Sequence, residues 1–392
     1  MAGGWDRIGR STLLLIGDPR FDAYRPPNPG ALGGGPRSLA IDLMVATGML
    51  ADPGEAQIVA RVDPVDRSTL ARFHARAYVD RVADSKLGRR VSWWDDPETP
   101  LFSGAFTSSA RIVGGGLTAL SAVLDGRSRR AFVPAGGHHH ARRDRAGGFC
   151  IFNDLGVLIA TALEVRSTRH RVACIDLDAH HGDGVQYGFY GSDRVLHIDF
   201  HQDGRTLYPG SGAIDETGLG EGEGLTVNVP LPPGSGDRLF TGLFRRIVPP
   251  LVREFRPTLL VVQQGVDALR DDGLADLALG PESYTEALSV CLDLAEELCS
   301  GRLIVTGGGG YNPLQVAPVL ARTGFLLCGK RPPLGPLPAP WRLRYCHAIG
   351  APAPTRWPSV RRDRTDRRTP SDVTRIVSGL ERVLRAPIPR SP

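Results

Sequence analysis

Three ionisable side chains, each two residues apart, could share a metal ion. Asp176, Asp178 and His180 directly follow an apolar run, and a spacing of two places side chains on one face of an extended segment. Two buried carboxylates and an imidazole are costly together unless a cation offsets their charge. Asp267, at the end of another apolar run, could add a ligand. Asp178, His180 and Asp267 would then leave a fourth position for water, the pattern of catalytic zinc sites.

The adjacent His139 and His140 lie in a glycine-rich loop after a further apolar run. Because imidazole titrates near neutrality, these side chains could carry protons. A hydrolase that uses metal-bound water needs such a base, and later an acid for the leaving amine. Each histidine also needs an acidic partner that fixes its tautomer. Asp176 and Asp183 are the candidates.

A run of four glycines, 307–310, precedes Tyr311. Glycine lets the backbone approach a site closely or adopt a positive φ. A tyrosine beside it can donate a hydrogen bond to a developing oxyanion. This segment is therefore a third candidate part of a hydrolytic site.

Each of these groups also has a simpler interpretation. Asp176 and Asp178 could cap a strand and form surface ion pairs, but histidine, glycine and aspartate residues follow at once. The histidine triplet could bind metal weakly at the surface, but it follows a strand. The glycine run could hold a phosphate, but no Lys-Ser or Lys-Thr follows it, which excludes a P-loop.

Short, continuously apolar runs separated by helix-like stretches predict an α/β domain around a largely parallel sheet. The predicted strands are Leu13–Ile16, Ala131–Val133, Val172–Ile175, Val195–Ile198, Leu259–Val262 and Leu303–Val305. The helix-like stretches include Ile112–Leu124, Asp154–Val165, Leu239–Phe255 and Ser283–Leu298. Four of the strands run directly into the polar or glycine-rich segments described above. Since ligands bind beyond the carboxyl ends of parallel strands, one site built from four loops is predicted.

Composition narrows the class of protein. The 392 residues are 41% hydrophobic and 23% charged, which is ordinary for a globular chain of one large or two small domains. No apolar run approaches the ~20 residues of a membrane helix, and no N-terminal segment has the pattern of a secretory signal. Six cysteines without a Cys-x-x-Cys pair favour free thiols and a cytoplasmic location.

The net charge of +5 is concentrated at the C-terminal end. From Arg356 onward, ten arginines and four acidic residues sum to +6, so the preceding 355 residues sum to −1. A nucleic-acid partner is therefore not expected. Residues 332–358 are Pro-rich and predict an extended surface segment, and residues 371–386 predict one last helix. Residues 359–370 and the final Pro-rich residues are expected to be mobile.

The candidate residues belong to longer motifs that resemble the zinc-dependent histone deacetylase superfamily, most closely its bacterial acetoin-utilisation deacetylases. The motifs keep the family's order and spacing over roughly residues 10–345. They are Gly136–Ala141, Ala146–Asp154, Asp176–Gln186, Leu207–Gly212, Asn228–Gly234 and Gly308–Tyr311. The resemblance implies an arginase/deacetylase-type α/β fold, with a catalytic domain at 1–345. Residues 346–392 would form a Pro/Arg-rich extension with one helix.

The resemblance also implies one catalytic zinc ion and a set of catalytic residues. The zinc ligands would be Asp178, His180 and Asp267, and Fe²⁺ also suits such a mixed nitrogen–oxygen site. The catalytic residues would be His139, His140, Asp176, Asp183 and Tyr311. In this assignment His139 pairs with Asp176, and His140 pairs with Asp183 and serves as general base and acid. Tyr311 would hydrogen-bond the acetyl carbonyl.

Five substrate-binding residues are implied in the same way: Glu98, Gly148, Phe149, Tyr208 and Leu274. Phe149 and Tyr208 would wall a narrow tunnel for an acyl-lysine stem, and Gly148 would contact the chain. Glu98 stands where a rim aspartate is common, which makes the rim acid one methylene longer.

Three other positions bear on the resemblance. Asp199 stands where serine is common near a structural potassium site, so K⁺ is a possible second ion. Gly273 replaces a frequent proline and is expected to loosen the tunnel rim beside Leu274. Arg37 matches an arginine that lies below the site in relatives.

Four functions compete on these features. The first is deacetylation of acetyl-lysine in proteins, and the second is hydrolysis of small acetylated amines such as acetylpolyamines. Relatives of the second kind carry a long inserted loop, and no such insertion is apparent before residue 100. A binuclear hydrolase of the arginase type needs additional aspartate ligands. A non-catalytic acyl-lysine-binding module is disfavoured by the intact ligand set and Tyr311.

Overall fold

Eight parallel strands form a single sheet in the computed structural model, which describes residues 11–26, 35, 37–85, 98–165, 170–358, 374, 376–379 and 381. The strands are β1 (Ser11–Ile16), β2 (Ala56–Val59), β3 (Ser128–Val133), β4 (Val172–Asp176), β5 (Val195–Gln202), β6 (Thr226–Leu231), β7 (Leu259–Gln263) and β8 (Leu303–Thr306). Their order across the sheet is β2-β1-β3-β8-β7-β4-β5-β6. Every pairing is parallel, which confirms the predicted α/β class.

Helices cover both faces of this sheet. They are α1 (Ser38–Ala46), α2 (Arg67–Leu70), α3 (Arg76–Asp84), α4 (Ala105–Leu124), α5 (Asp154–Val165), α6 (Asp183–Phe189), α7 (Asp237–Phe255), α8 (Pro281–Leu298), α9 (Pro313–Leu327) and α10 (Ala339–Ile349). Leu13 and Leu15 of β1 pack into the core beneath α1 and α7–α10, whereas Leu14 and Ile16 pack into the core beneath α4 and α5. Because successive side chains enter opposite cores, the central strands are apolar throughout.

The six predicted strands and four predicted helices are present, but two strands of the sheet, β2 and β6, were not predicted. β2 has only four residues and pairs at one edge of the sheet. β6, at the other edge, contains Asn228 and Pro230. Proline and asparagine are rare in strands, and an edge strand tolerates proline because one side of its backbone needs no ladder partner.

The prediction of an extended segment over residues 332–358 is wrong in its middle part, where α10 forms. Proline at the start of α10 suits the first helical turn, where no backbone N–H donor is required. Trp341 and Tyr345 then share the buried face of the helix, and Trp341 Nε1 donates to the carbonyl of Leu39 over 2.8 Å. α10 therefore crosses the predicted domain boundary at residue 345 while it packs on α1.

The C-terminal segment beyond α10 is only partly described. Trp357 is buried, with its ring 6.2 Å from that of Phe325. The described positions between 374 and 381 are helical, and Ile376 among them is fully buried. Residues 359–370 and the final Pro-rich residues, which were expected to be mobile, lie outside the described residues, as do the other positions of the helix predicted over residues 371–386. Within the described ranges, no helix has both the length and the apolarity needed to span a membrane.

We expect Trp341→Ala to lower the free energy of unfolding by about 3–5 kcal/mol, the usual cost of emptying a large buried aromatic site. Chemical denaturation measures this change. Leu343→Ala on the same helix is the control, because Leu343 is 74% exposed. Equal effects of the two substitutions would contradict the structural role of α10.

Candidate active site

Four loops meet beyond the carboxyl ends of four neighbouring strands, β3, β8, β7 and β4. The loop after β3 carries the histidine pair, and the loop after β4 carries Asp178 and His180. The loops after β7 and β8 carry Asp267 and Tyr311. These strands occupy the middle of the sheet, so residues as far apart in sequence as His139 and Tyr311 are brought together.

Asp178, His180 and Asp267 form a compact, buried cluster of ligand atoms. The Nδ1 atom of His180 lies 2.9 Å from Asp267 Oδ2 and 3.2 Å from Asp178 Oδ1. All the candidate ligand atoms lie within 4.8 Å of one another, and each residue is at most 7% exposed. This arrangement could hold one metal ion.

The electrostatics of the cluster fit a cation. Burial disfavours a charged imidazole, yet hydrogen bonds to Asp178 and Asp267 raise the pKa of His180 to about 10. Burial and the charge of Asp178 raise the pKa of Asp267 to about 8. The protein alone therefore retains protons here to offset two buried carboxylates. A divalent ion would take the place of those protons, and two carboxylate oxygens with one imidazole nitrogen are a ligand set suited to Zn²⁺ or Fe²⁺.

Neighbouring groups fix the orientation of the ligand carboxylates. Gln263 Nε2 and the backbone N–H of Gly309 donate to Asp178 Oδ2 over 2.9 and 2.7 Å. The N–H of Ala179 donates to Asp267 Oδ1 over 2.7 Å. Sequence reasoning did not identify Gln263, although it ends β7 where a polar residue follows four apolar ones. Such supporting bonds hold metal ligands in their binding orientation.

His139 and His140 each contact one carboxylate. Nδ1 of His139 lies 2.8 Å from Asp176 Oδ2, and Nδ1 of His140 lies 2.9 Å from Asp183 Oδ1. The pKa of Asp183 lies below its usual range, so this carboxylate accepts from Nδ1–H of His140, whose Nε2 can then accept a proton. Burial and the charges of Asp199 and Asp178 instead raise the pKa of Asp176 well above its usual range. The two Nε2 atoms are 3.1 Å apart, a distance at which a proton can pass between them.

Burial, reinforced by His139, lowers the pKa of His140 to about 4. At neutral pH its imidazole is therefore uncharged and can accept a proton. Burial opposes ionisation of Asp183, but bonds from His140 and Arg142 keep the pKa of this carboxyl below its usual range. Arg142 Nε donates to Asp183 Oδ2 over 2.8 Å. Sequence reasoning did not identify Arg142.

Tyr311 follows the glycine run and faces the ligand cluster. Its ring centroid lies 6.3 Å from that of His180 and 6.2 Å from that of Phe149. Burial and the carboxylates of Asp267 and Asp178 raise the pKa of Tyr311 well above its ordinary value. The phenol is therefore protonated at neutral pH and can donate a hydrogen bond.

A cavity of about 440 Å³ lies against the histidine pair, Asp178 and Tyr311. The predicted site residues in its wall are His139, His140, Gly148, Phe149, Asp178 and Tyr311. The Tyr208 ring lies 5.1 Å from that of His140, and Tyr208 is 39% exposed, but this residue is not part of the cavity wall. Leu274 is 40% exposed, and Glu98 is exposed as well. These two residues lie at the surface rather than in the cavity wall.

The backbone at Gly148 and Phe149 is bent sharply toward the site. Both residues have positive φ, +52° and +65°, which is uncommon for phenylalanine. A Cβ at Gly148 would overlap the His140 ring, so only glycine fits. Phe149 is held by Thr99 Oγ1, which accepts from its N–H, and by Tyr24, whose hydroxyl donates to its carbonyl over 2.6 Å. Sequence reasoning identified neither supporting residue.

A second buried group of potential ligands lies behind the histidine pair. It consists of Asp176, His197 and Asp199. Asp199 accepts from His201 Nδ1 over 2.7 Å and from the N–H of Gly182 over 2.8 Å. The predicted K⁺ near Asp199 stays a prediction.

Arg37 lies beneath the glycine run. Its Nη2 donates to the carbonyls of Gly308 and Gly310 over 3.0 and 3.3 Å, and the residue lines the cavity.

Comparison with known proteins gives a consistent result. The histone deacetylase domain matches residues 38–323 of the chain. An acetoin utilization protein, AcuC, of Staphylococcus xylosus is 35% identical over 295 residues, 74% of this chain and 76% of that protein. A probable deacetylase of Archaeoglobus fulgidus is 35% identical over 303 residues, 74% of this chain and 82% of that protein. AcuC of Bacillus subtilis is 36% identical over 260 residues, 66% of this chain and 67% of that protein.

Proposed function

Because this chain belongs to the histone deacetylase family and is therefore a deacetylase, we propose that it uses zinc to remove acetyl groups from lysine side chains of proteins. One observation carries the proposal: the wall of a single cavity contains a carboxylate-paired histidine, a protonated tyrosine and Asp178 of the metal-ligand cluster. Hydrolysis of an unactivated amide needs all three, namely a Lewis acid, a proton carrier and an oxyanion donor.

Asp178, His180 and Asp267 would hold the zinc ion, which when bound supplies Lewis acidity toward a carbonyl oxygen and a water molecule. The neutral His140 accepts the water proton at Nε2, while Asp183 holds Nδ1–H and stabilises the imidazolium that forms. Tyr311 donates its hydroxyl hydrogen bond to the carbonyl oxygen as negative charge develops there. His140 then returns the proton to the leaving amine, and His139 supports this transfer from 3.1 Å away.

A lysine side chain suits the shape of the entrance. The Phe149 ring lies beside Tyr311 and the Tyr208 ring lies beside His140, and aromatic walls favour an unbranched methylene stem. Leu274, exposed at the surface, offers apolar contact to the residues that flank the lysine. Relatives named for acetoin utilization support a metabolic protein as the substrate.

We place this reaction in the cytoplasm. All six cysteines are free, and four of them are buried. Unpaired buried thiols are typical of proteins in a reducing compartment.

The first test is turnover of an acetyl-lysine peptide and of N-acetylputrescine by the purified enzyme. Each substrate is assayed before chelation, after chelation and after zinc is restored. We expect peptide hydrolysis that falls to background on chelation and returns with zinc, because the metal is worth several kcal/mol. Turnover of the polyamine alone would overturn the protein substrate but keep the metal chemistry. Peptide turnover that resists chelation would contradict the zinc mechanism.

A further inference from the structure

One buried carboxylate joins the loop after β7 to the loop after β8. Asp272 is only 3% exposed, and its Oδ2 accepts from the backbone N–H of Tyr311 over 2.7 Å and from that of Asn312 over 3.3 Å. Its Oδ1 lies 3.4 Å from the N–H of Leu274, which donates to it. The same side chain thus contacts the backbone of Tyr311 and of Leu274, a residue at the surface.

Other hydrogen bonds connect the two loops along their length. The N–H of Val266 donates to the carbonyl of Gly309 over 2.8 Å, and Asn312 Nδ2 donates to the carbonyl of Asp271 over 2.7 Å. These two bonds hold the loop after β8 on either side of Tyr311, at Gly309 and at Asn312. Asp272 contacts the backbone of Tyr311 itself. The orientation of the Tyr311 backbone therefore depends directly on this carboxylate.

The local backbone is arranged to turn Asp272 inward. Its neighbours on both sides have positive φ, +64° at Asp271 and +110° at Gly273. A positive φ is uncommon for a non-glycine residue and is retained where the surroundings stabilise it. Asp271 and Gly273 are exposed, whereas Asp272 between them is buried. Asp272 is not needed to cap the start of α9, because the side chain of Asn312 already accepts from the backbone there.

We propose that Asp272 is a positioning residue for deacetylation, which holds the Tyr311 hydroxyl at the acetyl carbonyl. The inference rests on the proposed function. Among the described residues, Asp272 does not line the cavity, and its hydrogen bonds go to the backbone of Tyr311, Asn312 and Leu274. Its direct connection to the site is therefore through Tyr311. A displacement of about 1 Å in a positioned group can lower the rate about 100-fold. Loss of the Asp272 carboxylate could therefore remove much of the rate acceleration that the Tyr311 hydroxyl provides.

The test is a double-mutant cycle of Asp272→Ala and Tyr311→Phe, assayed with the acetyl-lysine peptide. In the otherwise wild-type enzyme we expect Asp272→Ala to lower kcat about 10- to 100-fold with little change in KM. In the Tyr311→Phe background the same substitution should lower kcat less than about threefold, because no hydroxyl remains to be positioned. Asp272→Asn should restore most of kcat, since its one amide oxygen can still accept from the N–H groups of Tyr311 and Asn312, and only the 3.4 Å contact with Leu274 is lost. Asp271→Asn, an exposed neighbour, is the matched control and should leave kcat unchanged.

Equal losses in both backgrounds would overturn the inference, because they would show a general structural role. Amide hydrogen exchange of residues 307–316 provides a readout that does not depend on turnover. Exchange should accelerate in Asp272→Ala and stay unchanged in Asp271→Asn, and unchanged exchange in Asp272→Ala would overturn the inference on its own. A wild-type enzyme that is inactive with zinc bound would instead contradict the proposed function.

Discussion

His140→Ala is expected to lower kcat for the acetyl-lysine peptide by about 10²- to 10⁴-fold, the range that a positioned general acid and base contributes. The imidazole is neutral because burial and His139 lower its pKa to about 4, and its Nδ1 is bound to Asp183 over 2.9 Å. Its Nε2 is thus the available proton acceptor. KM should change little, since Phe149 and Tyr208, the walls that we propose for the lysine stem, are unaffected.

The pH dependence gives an independent check on the same residue. His140 accepts a proton only when it is neutral, so kcat/KM declines as the pH falls through its pKa. With the pKa at about 4, well below the ordinary value of 6.5, activity should be nearly constant from pH 7 to about pH 5.5. A decline centred near pH 6.5 would contradict this environment for His140.

The control for His140→Ala is His347→Ala, an exposed histidine on α10. Zinc content should equal that of the wild type in both variants, because His140 is not among the candidate ligands. A His140→Ala enzyme that keeps more than about a tenth of kcat with zinc bound would exclude His140 as the general base.

Sequence reasoning located the candidate site because each loop follows an apolar strand. The spacing of Asp176, Asp178 and His180 is a pattern that can be read within one short segment. The other candidate residues reach this segment only because the sheet places the ends of its central strands side by side. That adjacency follows from the parallel topology, with β3, β8, β7 and β4 side by side. Local sequence patterns were therefore sufficient to predict those candidate residues that lie at the end of a strand or in the loop that follows it.

The supporting residues could not be predicted in this way. Tyr24 and Thr99 hold Phe149 from 125 and 50 residues away, and no periodicity indicates such contacts. Asp272 lies in a loop whose inward turn depends on backbone conformation rather than on residue type. The helix α10 was missed because proline content was interpreted as extended chain, whereas the positions of Trp341 and Tyr345, four residues apart, determine the buried face.

Gly309→Ala is expected to abolish zinc binding and to lower kcat/KM at least ~10³-fold, because a Lewis-acid metal is worth several kcal/mol. A Cβ at position 309 would overlap Asp267 Oδ2 and come within 3.0 Å of Asp178 Oδ2. It would thus enter the space between two candidate ligands, whose carboxylates cannot move freely. Asp178 is held there by Gln263 and by the N–H of Gly309 itself, and Asp267 by the N–H of Ala179.

Zinc content by elemental analysis and deacetylation of the peptide measure the two effects, and circular dichroism tests whether the fold persists. Gly242→Ala is the matched control, because a Cβ at this exposed position of α7 meets no atom within 4 Å. It should retain full zinc content and activity, since alanine is a better helix former than glycine. A folded Gly309→Ala protein that binds one zinc ion and deacetylates normally would mean that the metal lies elsewhere than between Asp178 and Asp267. Loss of zinc with the fold intact would instead assign the metal to this cluster, because the added methyl group changes no other charged or titratable side chain.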